Sequence, residues 1–307
     1  MSNSLIIKDK IDNFNKKIFI SGDKSLSIRW VLFASLADGA SKARNLLKSE
    51  DILATIKAIN KLGIKTNFNK NICTVFGKGI DGYKYKKNLT INAENSGTLG
   101  RLILGLLVNA SNKIKIVGDK SLSKRDFKRV SDPLSNFGAK FRLNKNKYLP
   151  LTINGSPMLK PFRYFENRGS AQCKSAVIFA AMRTNGTTFI TAKKSRNHTE
   201  LLCKHLKLPV KVRSKKNYDL IEVKKVKKIR TLNYKIPSDI SSSAFFIVLT
   251  ALSKNSKLVI KNVNINPSRT GIITILKKMS VNIQLKNKKN YKGELLADIS
   301  ITSTKRL

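Results

Sequence analysis

Several short segments of this sequence place Lys, Arg, Ser and Gln where a helix would begin. Ser21-Gly-Asp-Lys-Ser-Leu-Ser-Ile-Arg29 follows a strand expected over Lys17–Ile20 and leads into a helix expected over Leu26–Leu36. The first turn of a helix has unpaired N–H groups and the positive end of its dipole, so it attracts anions. Lys24 and Ser25 sit at that end, and Arg29 falls about one turn inside, on the same side. Asn95-Ser-Gly-Thr-Leu-Gly-Arg101 repeats the logic. There Gly97 lets a ligand approach the backbone, and Arg101 is placed to point inward. Gly118-Asp-Lys-Ser-Leu-Ser-Lys-Arg125 echoes the first motif and supplies Arg125. Gly169-Ser-Ala-Gln172 opens another helix with Ser170, Ala171 and Gln172, and Ser195-Arg-Asn-His-Thr-Glu200 opens one with Ser195 and Arg196. Taken singly, each is also what an ordinary capped helix looks like. Together they would suit substrates carrying phosphate and carboxylate groups. A Walker A loop, a Gly-x-Gly-x-x-Gly fingerprint and a Ser/His/Asp arrangement are all lacking.

The elements that must position these groups recur. Helix end, polar turn and alternating strand follow one another from Ala34, Leu106, Ala180 and Thr250, at intervals of 72, 74 and 70 residues. A second pattern, a helix end breaking into a short strand, starts at Leu62, Phe137, Leu206 and Met279, at intervals of 75, 69 and 73. Two series in step indicate an internal repeat longer than that of common solenoids. Apolar periodicity predicts helices over Leu26–Leu36, Ile52–Leu62, Leu99–Val108, Ala171–Met182, Thr199–Leu206, Ala244–Leu252 and Arg269–Met279. Alternation of helices and strands makes the fold α/β, or α+β, and layered.

Composition narrows the class. The chain has 307 residues, 61 Lys and Arg against 18 Asp and Glu, and a net charge of +43. That field favours anionic partners, but the basic residues are spread among apolar strands rather than gathered in a nucleic-acid tail. Cys73, Cys173 and Cys203 form no Cys-x-x-Cys pair, which suits a reducing cytoplasm. With His198 and His205 they offer no zinc-ligand spacing. Met1–Phe14 is polar and charged, so no secretory leader is expected there. The longest apolar run, Ala244–Leu252, is about half a membrane span. The expectation is a cytoplasmic protein that binds neither membrane nor nucleic acid.

With these segments in order, the sequence resembles the 5-enolpyruvylshikimate-3-phosphate synthases. The resemblance is carried by residues 21–29, Asn95-Ser-Gly-Thr98, Lys124-Arg125, Gly169-Ser-Ala-Gln172, Ser195-Arg-Asn-His-Thr-Glu200, Ser238-Asp-Ile-Ser-Ser-Ser-Ala244 and Asn266-Pro-Ser-Arg-Thr-Gly271. It spans essentially the whole chain. It implies two globular domains built from βαβαββ units, with the active site in the cleft between them. Residues 22–236 would form a complete three-unit domain. Residues 1–21 with 237–307 would form part of the other, making that first domain incomplete.

The resemblance also implies roles. Lys24 would meet both substrates, chiefly phosphoenolpyruvate, with Gly97, Arg125 and Gln172 lining the phosphoenolpyruvate site. Ser25, Arg29, Ser170, Ala171, Gln172 and Arg196 would hold shikimate 3-phosphate. Ser195 and Arg101 are further candidates. The sequence has Asp126 where the family often has Pro, and Asn197 where it often has Asp. The implied reaction is an addition–elimination by a monomer, with neither cofactor nor metal. The 5-hydroxyl attacks C2 of phosphoenolpyruvate, C3 is protonated, and phosphate is expelled.

The family's proton-transfer groups are expected in a later segment of roughly 140 residues. The residues up to Leu307 are therefore also compatible with a fragment, a split enzyme or a remnant that only binds shikimate 3-phosphate. On that expectation the catalytic residues are unknown here. Asp239 reads as a helix cap, not as their substitute. A UDP-N-acetylglucosamine enolpyruvyl transferase, which would need a cysteine in a polar loop, competes with this reading, as does a basic nucleic-acid-binding protein.

Overall fold

The computed structural model describes residues 10–69 and 71–304. Part of the polar Met1–Phe14 stretch, and the ends of the expected 1–21 and 237–307 segments, lie outside the described residues. The chain runs β1 (Asn15–Phe19), α1 (Lys24–Leu36), β2 (Asp38–Arg44), α2 (Glu50–Lys61), β3 (Lys65–Asn69) and β4 (Ile72–Lys78). Two consecutive βαβαββ stretches follow. The first is β5 (Leu89–Asn92), α3 (Gly97–Leu106), β6 (Ile114–Val117), α4 (Lys128–Ser135), β7 (Lys140–Asn144) and β8 (Tyr148–Asn154). The second is β9 (Arg163–Glu166), α5 (Ala171–Ala181), β10 (Thr187–Lys193), α6 (His198–His205), β11 (Val210–Ser214) and β12 (Tyr218–Lys224). The chain continues with β13 (Tyr234–Lys235), α7 (Ile240–Leu252), β14 (Lys257–Asn264), α8 (Gly271–Lys278), β15 (Asn282–Tyr291) and β16 (Glu294–Thr302).

Four four-stranded sheets share one wiring, which makes the protein α/β with a repeated unit. Their orders are β5-β6-β8-β7, β11-β12-β10-β9, β13-β2-β4-β3 and β1-β14-β16-β15. In each, one edge strand runs parallel to its neighbour and the other two pairings are antiparallel. Two copies exchange their first strands. β1 leads into α1 yet pairs with β14, while β13 leads into α7 yet pairs with β2.

The chain accordingly divides into two compact units, Met1–Asp23 with Pro237–Leu307, and Lys24–Ile236. Gly22 and Asp23 group with the former, although the sequence reading placed them in the three-unit domain. Gly22 bridges Ser238, and the Asp23 amide donates to the Pro237 carbonyl at 2.8 Å. The buried Asp23 carboxylate is paired with Arg269.

In the Lys24–Ile236 unit, α1, α3 and α5 are buried on nearly all sides, as helices apolar all round must be. α1 and α5 run parallel. Arg29 meets Ser175 near their starts, and Phe33 meets Phe179 one turn on, with ring centroids 5.0 Å apart. α3 and α5 also run parallel, with Thr98 against Gln172 and Gly105 against Ala176. A Cβ on Gly105 would stand 2.1 Å from the Ala176 carbonyl oxygen, so only glycine allows this approach. Three helix starts therefore lie at one end of the unit. The strands alternate buried and open residues, as β8 and β10 do, so each sheet turns one face to the helices.

The other unit has its own core around Ile247, Ile260, Ile299 and Ile301. Asp239 caps α7 by accepting from the Ser241 amide at 2.7 Å. α7 is the counterpart of α1, α3 and α5, but its outer face leaves Phe245 78% and Leu252 66% exposed.

Candidate functional site

Two hydrogen-bonded groups form at the shared end of α1, α3 and α5, joined through α5. In the first, Arg29 is 2% exposed. Its Nε donates to Thr199 Oγ1 at 2.9 Å, its Nη1 to the Ser25 carbonyl at 3.0 Å, and its Nη2 to Ser175 Oγ at 3.2 Å. Arg196 Nη1 donates to Ser25 Oγ at 3.3 Å. The Ser195 hydroxyl oxygen is buried and has no partner among the described residues. Lys24, half exposed, lies 3.5 Å from the Asp51 carboxylate. This group thus gathers Lys24, Ser25, Arg29 and Arg196 from α1 and the start of α6.

The second group gathers α3, α4 and α5. Arg101 Nη1 donates to Gln172 Oε1 at 2.7 Å, and Gln172 Nε2 donates to Thr98 Oγ1 at 3.0 Å. Accepting from a guanidinium fixes which way the Gln172 amide faces. Arg101 also donates to the Asp126 carbonyl at 3.1 Å and covers the Phe127 ring at 5.1 Å. Burial, and then the neighbouring Arg129 guanidinium, lower the pKa of Arg101, with a further push from Arg125. Arg125 is exposed and donates to Asn95 Oδ1 at 3.2 Å. A Cβ on Gly97 would stand 3.1 Å from Arg101 Nη1 and 3.2 Å from Arg125 Nη1, so glycine keeps the space between these cations open.

Ser170 links to the same group from the first turn of α5. It follows Gly169, whose φ of 67° is in the left-handed region. Its amide donates to Glu166 at 2.8 Å, and its hydroxyl oxygen accepts from the Cys173 amide at 3.2 Å and from Arg129 Nη2 at 2.8 Å. Ala171 is the first residue of α5.

Every candidate from the sequence thus falls in one of these two groups or at a helix start beside them. The exposed cations Lys24, Arg125 and Arg196 stand around the buried Ser25, Arg29, Gly97 and Ser170. Hydroxyls, an amide and fixed cations at parallel helix starts make a site for anionic oxygens. Among the described residues no group of His, Cys, Asp and Glu could hold a metal ion.

Sequence reasoning missed Thr98, Ser175, Thr199 and Arg129. Thr98, Ser175 and Thr199 act through partners far away in sequence. Arg129 lies on α4, which apolar periodicity did not reveal. Asp126, where the family often has Pro, accepts the Arg129 amide at 3.2 Å through its side chain, a bond Pro could not make.

Comparison with known proteins follows the same lines. The sequence model of EPSP synthase, 3-phosphoshikimate 1-carboxyvinyltransferase, matches residues 8–301. The 3-phosphoshikimate 1-carboxyvinyltransferase of Petrotoga mobilis is 38% identical over 296 residues, covering 95% of this chain and 68% of that relative. The one from Caldicellulosiruptor bescii is 40% identical over 300 residues, covering 96% and 69%. The solved EPSP synthase of Acinetobacter baumannii superposes with a TM-score of 0.86 at 34% identity, covering 95% of this chain and 65% of that one. The chain therefore spans about two thirds of the length of the relatives it matches.

Proposed function

The chain belongs to the EPSP synthase family, and from that premise we propose that it binds shikimate 3-phosphate and phosphoenolpyruvate and serves transfer of the enolpyruvyl group between them. The 5-hydroxyl oxygen of shikimate 3-phosphate bonds to C2 of phosphoenolpyruvate, its proton leaves, and C3 gains a proton. The tetrahedral adduct then expels phosphate as a proton is lost from C3, leaving the enol ether.

The observation that carries the reading is the convergence of three parallel helix starts on one end of the Lys24–Ile236 unit, with Ser25, Arg29, Ser170 and Gln172 among their polar groups and Arg196, just before α6, donating to Ser25. In this reading Ser25, Arg29, Ser170, Ala171, Gln172 and Arg196 hold shikimate 3-phosphate. Lys24, Gly97, Arg125 and Gln172 border phosphoenolpyruvate. Fixed cations of this kind lower the energy of charge developing on the adduct. The proposal extends to a monomer acting in the cytoplasm, a reducing compartment suited to three free, buried thiols.

The enzyme that uses UDP-N-acetylglucosamine would need a reactive loop cysteine, whereas Cys73 is in β4, Cys173 in α5 and Cys203 in α6. Thermal melting with each ligand tests the choice. Shikimate 3-phosphate should raise the melting temperature in proportion to the logarithm of its concentration, and UDP-N-acetylglucosamine should not. The reverse result would remove the reading.

A further inference from the structure

The Ser170 hydroxyl has one hydrogen to donate and two lone pairs with which to accept. Both lone pairs are engaged, by Arg129 Nη2 at 2.8 Å and by the Cys173 amide at 3.2 Å. Among the described residues the hydroxyl donates to nothing. Its hydrogen is therefore left for a group other than these residues, and that group must accept. A Ser170 bonded only to the Cys173 amide would be an ordinary N-cap, free to rotate and to accept from a ligand hydroxyl. The second bond, from Arg129, removes that freedom.

Arg129 is placed for this. Its amide is held by Asp126 Oδ1 at 3.2 Å in the first turn of α4, and its carbonyl accepts from Cys173 Sγ at 3.4 Å, so its backbone is tied at both ends. Its Nε is buried without a partner, and no carboxylate among the described residues forms an ion pair with it. It also stands close enough to Arg101 to lower that group's pKa, second only to burial. The two neighbouring guanidinium groups, of which Arg101 also feels the Asp126 carboxylate, form no ion pair among the described residues and favour an anion nearby.

We propose that Arg129 is a positioning residue that fixes Ser170 as a hydrogen-bond donor, so that the start of α5 selects an acceptor-only phosphate dianion over a hydroxyl or an amide. The inference rests on the reading that Ser170 holds shikimate 3-phosphate, and deepens it. A phosphate monoester is mostly dianionic at neutral pH and offers only acceptors. Arg129 acts through Ser170, whose hydroxyl oxygen its Nη2 engages.

A double-mutant cycle tests this by titration calorimetry with shikimate 3-phosphate, using wild type, Arg129→Ala, Ser170→Ala and the double variant. Arg129→Met, which keeps the length of the side chain, runs in parallel, and melting curves confirm that each variant is folded. Each single variant should bind about tenfold more weakly than wild type, the loss expected for a hydrogen bond to a charged group. The double variant should bind no more weakly than either single, because both remove the same bond. If the losses multiply to about a hundredfold, the two residues act independently and the positioning role is overturned, while the assignment of the ligand stands. If wild type fails to bind shikimate 3-phosphate, the functional reading falls, and this inference with it.

Discussion

Lys174 on α5 and Glu200 on α6 pair at 2.7 Å with both side chains withdrawn from solvent. The pair lies beside the Arg29, Ser175 and Thr199 network, because Ser175 and Thr199 are the adjacent residues and bond to each other at 2.7 Å. It ties two helices whose first turns both carry site residues.

Lys174→Met should therefore be costly, because it leaves the Glu200 carboxylate buried and unpaired. The expected loss is about 3 kcal/mol or more. Lys174→Met with Glu200→Leu should recover most of it, since two apolar side chains leave no charge to solvate. Urea unfolding of the three proteins measures this. A double variant as unstable as the single would show that the pair is not what joins the helices.

Gly97→Ala tests the space between two cations. The new Cβ would be 3.1 and 3.2 Å from the Nη1 atoms of Arg101 and Arg125, so both guanidinium groups must shift by a few tenths of an ångström. Overpacking of this size costs about 1 kcal/mol. Phosphoenolpyruvate titrated in the presence of shikimate 3-phosphate should bind roughly fivefold more weakly, with a smaller loss for shikimate 3-phosphate, which Arg101 meets only through Gln172. An equal loss for both ligands would count against the placement of phosphoenolpyruvate.

Much of this site is legible in the sequence because its parts are local. A capping Ser, a Gly and a cation one turn on can be read within one segment, as at Ser170 and at Ser25 with Arg29. Arg129 is not legible in this way. Pro133 interrupts the apolar pattern of α4 and lacks the N–H that would bond to the Arg129 carbonyl four residues earlier. That carbonyl instead accepts from Cys173 Sγ. The tertiary contact that compensates for the proline is invisible to periodicity. The exchange of β1 and β13 between copies is hidden for a related reason. β13 is a two-residue strand whose partner, β2, lies far back in the sequence.

In the other unit, burial raises the pKa of the Asp298 carboxyl, but Lys261, the Asn262 amide and Asn287 outweigh it and hold the carboxyl below its ordinary 3.8. A carboxyl depressed in the folded state contributes stability that is present above 3.8 and lost as pH falls through the lower, folded value. Unfolding followed from pH 5 downward should show Asp298→Asn losing less stability between pH 5 and 3 than wild type. Parallel curves would mean that Asp298 does not contribute to the acid limb.

The thiols should be inert. All three are buried. Burial pushes the Cys73 thiol up to about 11, and burial followed by the Glu200 charge raises that of Cys203. Native protein at pH 8 should be alkylated by iodoacetamide far more slowly than protein in urea, because the thiolate is the nucleophile. Rapid alkylation of one native cysteine would reopen the reading of a reactive cysteine.

The central claim is that the helix starts of the Lys24–Ile236 unit bind shikimate 3-phosphate. Titration calorimetry of wild type against Arg196→Ala tests it most directly, because Arg196 is exposed and its loss should leave the fold intact. Wild type should bind, and Arg196→Ala should lose on the order of 1.5–3 kcal/mol of affinity, the worth of a hydrogen bond to a charged group. Wild type and Arg196→Ala binding with the same affinity, or no binding by wild type, would contradict the account.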